Sequence, residues 1–203
     1  MYLSKILLNP MHPSARQALR DRHDLHRNVQ SMLPGDETPE APLYRIIETR
    51  MEIQLLILSD SMPEREAVES LGGVLQSTTD MTRLPELYRT GAVLRFSLLA
   101  APSKKTAAEN GGNSRRIALR APEERVAWLS RQGEKYGFQV LECYEPSAAK
   151  QLQVGRKSGG FVLSAVELSG MLRIEDAERF WASWRKGIGP EKAYGLGLML
   201  LSK

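Results

Sequence analysis

The strand-like and helix-like segments of this 203-residue chain follow the same order twice. In the first half, hydrophobic periodicity predicts strands at 2–8, 43–48, 51–58 and 74–79. Helices are expected after Ser14, with a restart at the capping residue Asp21, and again after Pro63. The resulting order, β-α-β-β-α-β, is that of the ferredoxin-like fold.

The second half repeats that order. Strands are expected at 93–100, 138–144, 161–168, 171–174 and 196–201, with a turn at Ser169 and Gly170, and helices at 122–137 and 175–186. A long basic loop is expected at 102–116. The sequence therefore predicts an α+β protein of two tandem ferredoxin-like (RRM-like) βαββαβ domains, residues 1–85 and 92–203.

Basic charge is concentrated in the second half of the chain. Residues 1–91 hold 10 Lys and Arg against 13 Asp and Glu, whereas residues 92–203 hold 18 against 11, so their formal charges are −3 and +7. A basic half favours a polyanionic partner such as nucleic acid, because neutralising phosphates releases condensed counterions. A merely solvated basic surface is the alternative.

Composition also limits the cellular setting. Cys143 is the single cysteine, so neither an intramolecular disulfide nor a cysteine-based zinc site can form. The N-terminal apolar run is too short for a signal peptide, and no window reaches the eighteen apolar residues of a membrane span. We therefore expect a cytoplasmic, soluble protein without a membrane partner.

Two of the three histidines lie in one turn of the first predicted helix. His23, His26, Arg27 and Gln30 fall on one helical face. An imidazole can exchange a proton at neutral pH, and a guanidinium can bind phosphate. Cleavage of RNA by its own 2′-OH needs a base, a proton for the 5′ oxygen and cations, but no metal. A solvated helix face is the alternative, and zinc binding that includes His12 is a weaker one.

Further cations and glycines lie in predicted loops. The basic pairs are Lys104, Lys105, Arg115, Arg116, Arg156 and Lys157. Loop cations of this kind favour recognition of folded or duplex RNA by shape and backbone. The last loop holds Lys192 with Gly187, Gly189, Gly195 and Gly197. These glycines form either a tight helix-to-strand turn or a cradle for phosphate oxygens.

Five segments together resemble the CasE family, the CRISPR repeat endoribonucleases of type I-E Cascade complexes. These are MYLSKILLNP, DLHRNV, LRFSLLAAPSKK, RRIALRAPEERVAWL and GIGPEKAYGLGLMLL, in the family's order over nearly the whole chain. The resemblance implies metal-independent cleavage of CRISPR repeat RNA at the base of its stem-loop, without a cofactor. It also implies 2′,3′-cyclic phosphate and 5′-hydroxyl ends, and a product held within Cascade alongside its other subunits.

The resemblance also assigns residues. The family's catalytic histidine falls on His26, and His23 stands where relatives often carry tyrosine. Relatives often carry Arg-Ala-Asn-Pro where this chain has Leu99-Ala100-Ala101-Pro102. The polar contact expected from that arginine and asparagine is therefore assigned to Lys104 and Lys105. The glycine-rich loop becomes RNA-facing, so Gly195→Val is expected to weaken RNA binding more than the cleavage step. The two replacements leave a second hypothesis open, a non-catalytic RNA-binding subunit that caps a ribonucleoprotein.

Overall fold

The computed structural model describes residues 1–34, 41–106, 116–155 and 159–203. The first half contains β1 (Tyr2–Leu8), α1 (Pro13–Arg20), α2 (Arg22–Ser31), β2 (Leu43–Glu48), β3 (Ile53–Ser59), α3 (Arg65–Ser70), β4 (Gly73–Asp80) and α4 (Leu84–Leu87). The second half contains β5 (Val93–Ala100), β6 (Ser103–Lys105), β7 (Arg116–Ala118), α5 (Pro122–Tyr136), β8 (Phe138–Tyr144), β9 (Lys150–Val154), β10 (Phe161–Ile174), α6 (Ala177–Lys186) and β11 (Met199–Ser202).

The two halves build sheets of the same topology. The first sheet has the order β2-β3-β1-β4, and the main path of the second has the order β11-β5-β10-β8. In both, the first strand of the unit lies between its third and fourth strands, and neighbouring strands are antiparallel. The prediction of two ferredoxin-like units is therefore confirmed. Among the described residues, no helix is long and apolar enough to cross a membrane.

Three details of the second half differ from the prediction. β9 was missed, and the segment predicted to be a loop, 102–116, contains β6 and the first residue of its partner strand β7. The turn predicted at Ser169 and Gly170 is wrong, because β10 runs through both residues. A Cβ on Gly170 would overlap the backbone carbonyl of Glu142 on β8. Glycine here permits a close approach of two strands rather than a reversal of the chain.

Each sheet packs one face against its own helices. The first core joins β1, β2 and β3 to α1, α2 and α3, and it contains the predicted stripe residues Leu25 and Val29, both fully buried. The second core extends into the first half, where it includes Leu43, Leu56 and Leu58. The two halves of the described chain thus share a continuous hydrophobic contact.

A buried ion pair crosses between the halves. Arg45 on β2 donates from Nη2 to Glu167 Oε1 of β10 at 2.7 Å, and from Nη1 to the carbonyl of Ser97 on β5 at 3.1 Å. Ser97 Oγ lies 2.8 Å from the same carboxylate oxygen. The Arg45 side chain is 6% exposed and that of Glu167 is 26% exposed. Glu167 therefore balances a guanidinium that water hardly reaches.

Removing the negative charge of this pair should destabilise the fold. Glu167→Gln keeps the side-chain shape but leaves Arg45 buried beside a neutral amide. We expect the free energy of unfolding to fall by on the order of 2 kcal/mol, less than for a fully buried pair because Glu167 is partly exposed. The measurement is urea denaturation of the whole chain.

Glu69→Gln is the matched control for that measurement. Glu69 pairs with Arg65 at 2.8 Å on the surface of α3, with side chains 57% and 86% exposed. Its substitution should change the free energy of unfolding by no more than about 0.5 kcal/mol. Equal effects of the two substitutions would show that the Arg45 pair does not stabilise the contact between the halves.

Candidate active site

Helix α2 begins at a capped break in the chain. α1 ends at Arg20, and Asp21 adopts an extended conformation that cannot continue a helix. Its Oδ1 accepts a hydrogen bond from the backbone N–H of His23 at 2.8 Å, which satisfies one of the unpaired donors of the first helical turn. The predicted restart at Asp21 is therefore confirmed. It places His23 in the first turn of α2 and His26 one turn later.

His26 lies half-buried against the first sheet. Its ring stacks on Tyr44 of β2, with 6.3 Å between ring centroids and 21° between ring planes. Nδ1 is buried and has no hydrogen-bond partner within the described residues. Burial lowers the pKa of His26 below its ordinary value of 6.5, and the neighbouring His23 lowers that pKa further. The imidazole is therefore neutral at pH 7 and can accept a proton.

Tyr44 is held by the glycine-rich tail, residues 187–197. Its hydroxyl donates a 2.6 Å hydrogen bond to the carbonyl of Ala193. Burial raises the pKa of Tyr44, so its hydroxyl stays protonated at neutral pH. Gly195 adopts φ +80°, and a Cβ at that position would lie 2.9 Å from Tyr44 Cε2. The tail thus reaches the residue on which His26 stacks.

All four glycines of the tail have positive φ, between +78° and +91°. Gly187, Gly195 and Gly197 are buried, and Gly189 is half-buried beside Trp128. A Cβ on Gly187 would lie 2.8 Å from Leu43 Cδ2. These contacts support the tight-turn interpretation. Contact of the four glycines with RNA stays a prediction.

The second half also contacts the start of α2. Asp21 Oδ1 accepts a second hydrogen bond, at 2.9 Å, from the backbone N–H of Gly155, the residue after β9. Sequence reasoning missed both Gly155 and Tyr44 as part of this region. Neither carries a local signal, because their partners lie 134 and 149 residues away in the chain.

The structure gives the predicted cations different surroundings. Arg27 is exposed and lines a groove on the α1 side of α2, together with Gln17 and Asp24, whereas the His26 ring faces β2. Lys192 is half-buried within the tail. Lys104 lies 3.7 Å from Glu124, with both side chains about half exposed. Three other predicted cations lie outside the described residues: Arg115, Arg156 and Lys157.

The hairpin of β6 and β7 brings two exposed cations together. Lys105 is paired in register with Arg116 on the neighbouring strand. Arg116 also lines a groove whose other side is formed by the start of β10 and by Pro190 and Glu191 of the tail. Like charges directly opposite on neighbouring strands destabilise a hairpin, and a bound polyanion would offset that cost.

Comparison with known proteins identifies the relatives of this chain. Residues 1–203 match the family described as CRISPR associated protein. The CRISPR-associated endoribonuclease Cse3 of Thermus thermophilus is 34% identical over 212 residues, which cover 98% of each chain. The CRISPR system Cascade subunit CasE of Escherichia coli is 28% identical over 215 residues, which cover 100% of this chain and 99% of the relative.

A solved structure shows the same fold. The structure of Thermus thermophilus Cse3 bound to an RNA representing a pre-cleavage complex matches with a TM-score of 0.85 at 30% identity, over 100% of this chain and 98% of that chain. The fold, the helix α2 that carries His23 and His26, and the family match over residues 1–203 together define a CRISPR-associated protein. Within that class, the chain belongs to the CasE family, which confirms the resemblance found in the sequence.

The lowered pKa of His26 can be tested in the free protein. We expect its imidazole signals to titrate with a midpoint below 6.5, because burial opposes the charged form. His23→Gln should move that midpoint upward, since it removes a like charge, but should leave it below 6.5. The measurement is an NMR titration of the ring protons, with His26→Gln assigning the signals. A midpoint above 6.5 would contradict the environment described for His26.

Proposed function

We propose that this protein is a metal-independent endoribonuclease that cleaves CRISPR repeat RNA at the base of its stem-loop. The cut releases 2′,3′-cyclic phosphate and 5′-hydroxyl ends, and the protein retains the product as a subunit of Cascade. The observation that carries the proposal is a neutral, half-buried His26 in a chain that is 34% identical to an endoribonuclease over nearly its whole length. The relative from Escherichia coli is a Cascade subunit, and Cse3 of Thermus thermophilus was solved with bound RNA. Both observations support the proposed partners.

The proposed reaction is an internal displacement at phosphorus. His26 accepts the proton of the 2′-OH as that oxygen forms its bond to the phosphorus atom. The bond from phosphorus to the 5′ oxygen breaks, and the leaving oxygen takes a proton, for which His23 is the proposed donor. Because the nucleophile belongs to the substrate, proton transfer and charge stabilisation are sufficient for the chemistry.

A second candidate is a non-catalytic RNA-binding subunit. It is favoured by His23 in place of tyrosine and by Leu99-Ala100-Ala101-Pro102 in place of Arg-Ala-Asn-Pro. A single-turnover assay of the wild-type protein on repeat RNA separates the two functions. Binding without product would favour the subunit. Where product forms, mass spectrometry distinguishes a cyclic from a linear phosphate end by one water.

Loss of the His26 imidazole should remove cleavage and preserve binding. In EDTA, His26→Ala should lower the single-turnover rate by about 10² to 10⁴, the usual contribution of general acid–base catalysis. Affinity for repeat RNA should change by less than about twofold. For the wild type, the acid limb of the pH–rate profile should fall with a midpoint below pH 6.5, because the base must be neutral and its pKa is lowered.

Ser31→Ala, at the end of the same helix, is the control and should cleave like the wild type. Its hydroxyl bonds only the carbonyl of Asn28 among the described contacts. Cleavage by His26→Ala at the wild-type rate would refute the assignment of His26. Loss of activity in EDTA alone would refute metal-independent cleavage.

The paired cations of the hairpin should contribute to RNA affinity rather than to the cleavage step. Replacing Lys105 and Arg116 together by alanine should weaken binding by about tenfold and reduce the slope of log affinity against log salt by about 1 to 2. The rate at saturating protein should be unchanged. Fluorescence anisotropy at several salt concentrations provides the measurement.

A charge-matched variant controls for the overall loss of two positive charges. Arg65 and Arg83 are exposed in the first half and pair with neighbouring glutamates at 2.8 and 3.3 Å. Replacing both by alanine should leave the salt slope unchanged. Equal slopes for the two double variants would show that the hairpin does not contact phosphate.

A further inference from the structure

The orientation of His26 depends on a neighbour that cannot move freely. Tyr44 is fully buried, and its ring lies nearly parallel to that of His26. In-line attack needs the base close to the 2′-OH, and a displacement of about 1 Å can cost 10²-fold in rate. A displacement of Tyr44 would therefore reach the proposed chemistry through the His26 ring.

Tyr44 is itself fixed from the second half of the chain. The carbonyl of Ala193 binds its hydroxyl at 2.6 Å, and Gly195 closes on the edge of its ring. The absence of a side chain at Gly195 allows this approach, because a Cβ would press on Cε2 at 2.9 Å. The glycine-rich tail thus controls where the Tyr44 ring lies.

A second contact fixes the helix that carries His26. Asp21 Oδ1 caps α2 through the N–H of His23 and also accepts the N–H of Gly155. Capping alone needs only the first of these bonds. A Cβ on Gly155 would overlap the other carboxylate oxygen of Asp21, so that position favours glycine. The start of α2 is therefore attached to the end of β9.

We propose that Tyr44 and Asp21 are positioning residues through which the second half of the chain orients His26 for cleavage. This inference rests on the proposed catalytic role of His26. Neither side chain needs to touch RNA to act in this way. The glycine-rich tail then acts on the cleavage step through Tyr44, which reverses the expectation from sequence that Gly195→Val would mainly weaken RNA binding.

The first experiment separates the two features of Tyr44. Tyr44→Phe keeps the ring and removes the hydrogen bond to Ala193, and Tyr44→Leu removes the ring as well. We expect single-turnover rates about tenfold and about 10²-fold below the wild type, respectively. Affinity for a repeat RNA with a 2′-deoxy scissile nucleotide should stay within about twofold of the wild type. Urea denaturation identifies the variants that fold.

The second experiment separates helix capping from the contact with Gly155. Asp21→Ser keeps a good cap but is too short to reach Gly155 as well, so the rate should fall by about tenfold. Asp21→Asn retains an oxygen in place of Oδ1 and should restore a rate near the wild type. The matched control is Asp176→Ser, because Asp176 caps α6 by accepting from the N–H of Arg179. That control should leave the rate unchanged.

His26→Ala, measured alongside, keeps the two proposals distinguishable. Cleavage by His26→Ala at the wild-type rate would overturn the proposed function. If that variant is inactive while Tyr44→Phe, Tyr44→Leu and Asp21→Ser cleave like the wild type, His26 acts without these positioning residues and the inference is wrong. Affinity that falls in parallel with the rate would also overturn it, because the residues would then act in RNA binding. A folded Tyr44→Phe is sufficient for the test if Tyr44→Leu does not fold.

Discussion

The attachment of strand β2 to the second half of the chain is the contact on which the rest of the structure depends. Successive side chains of a strand point to opposite faces. Arg45 meets Ser97 and Glu167 of the second sheet, whereas Tyr44 meets His26 on the opposite face. A buried guanidinium separated from its carboxylate would cost several kcal/mol. Arrangements of the two halves that separate Arg45 from Glu167 are therefore disfavoured. Because Tyr44 precedes Arg45 on the same strand, the ion pair also fixes the position of Tyr44 beside His26.

This arrangement gives the second half of the chain a part in placing His26, the proposed catalytic histidine of the first half. α2 supplies His26, but the partners of Tyr44 and of the Asp21 cap come from the tail and from the end of β9. Burial of the His26 ring lowers its pKa and keeps the imidazole neutral at pH 7. The paired cations of the β6–β7 hairpin lie in the second half. Proton transfer is thus proposed for the first half and RNA binding for the second. The tail contacts Tyr44 beside His26, and its residues Pro190 and Glu191 line the same groove as Arg116.

The glycine-rich tail shows how one pattern supports two interpretations. Glycines are favoured where a bent backbone must approach something closely, whether that is a phosphate or another part of the protein. Here the close neighbours are the side chains of Leu43, Trp128 and Tyr44. A side chain at any of these positions would therefore first disturb the protein itself, and at Gly195 it would press on the Tyr44 ring on which His26 stacks.

The sequence by itself determined the order of elements, the capped start of α2 and the placement of His26 in that helix, because these depend on neighbours within a few residues. It failed at Gly170, since the same residue permits a turn or a close strand contact, and at the short β9. Only the tertiary structure decided that Tyr44 supports His26 and that Asp21 binds Gly155. Tyr44 is held by Ala193, which lies 149 positions away, and Asp21 and Gly155 are 134 positions apart. No local pattern in the sequence indicates contacts between residues so far apart.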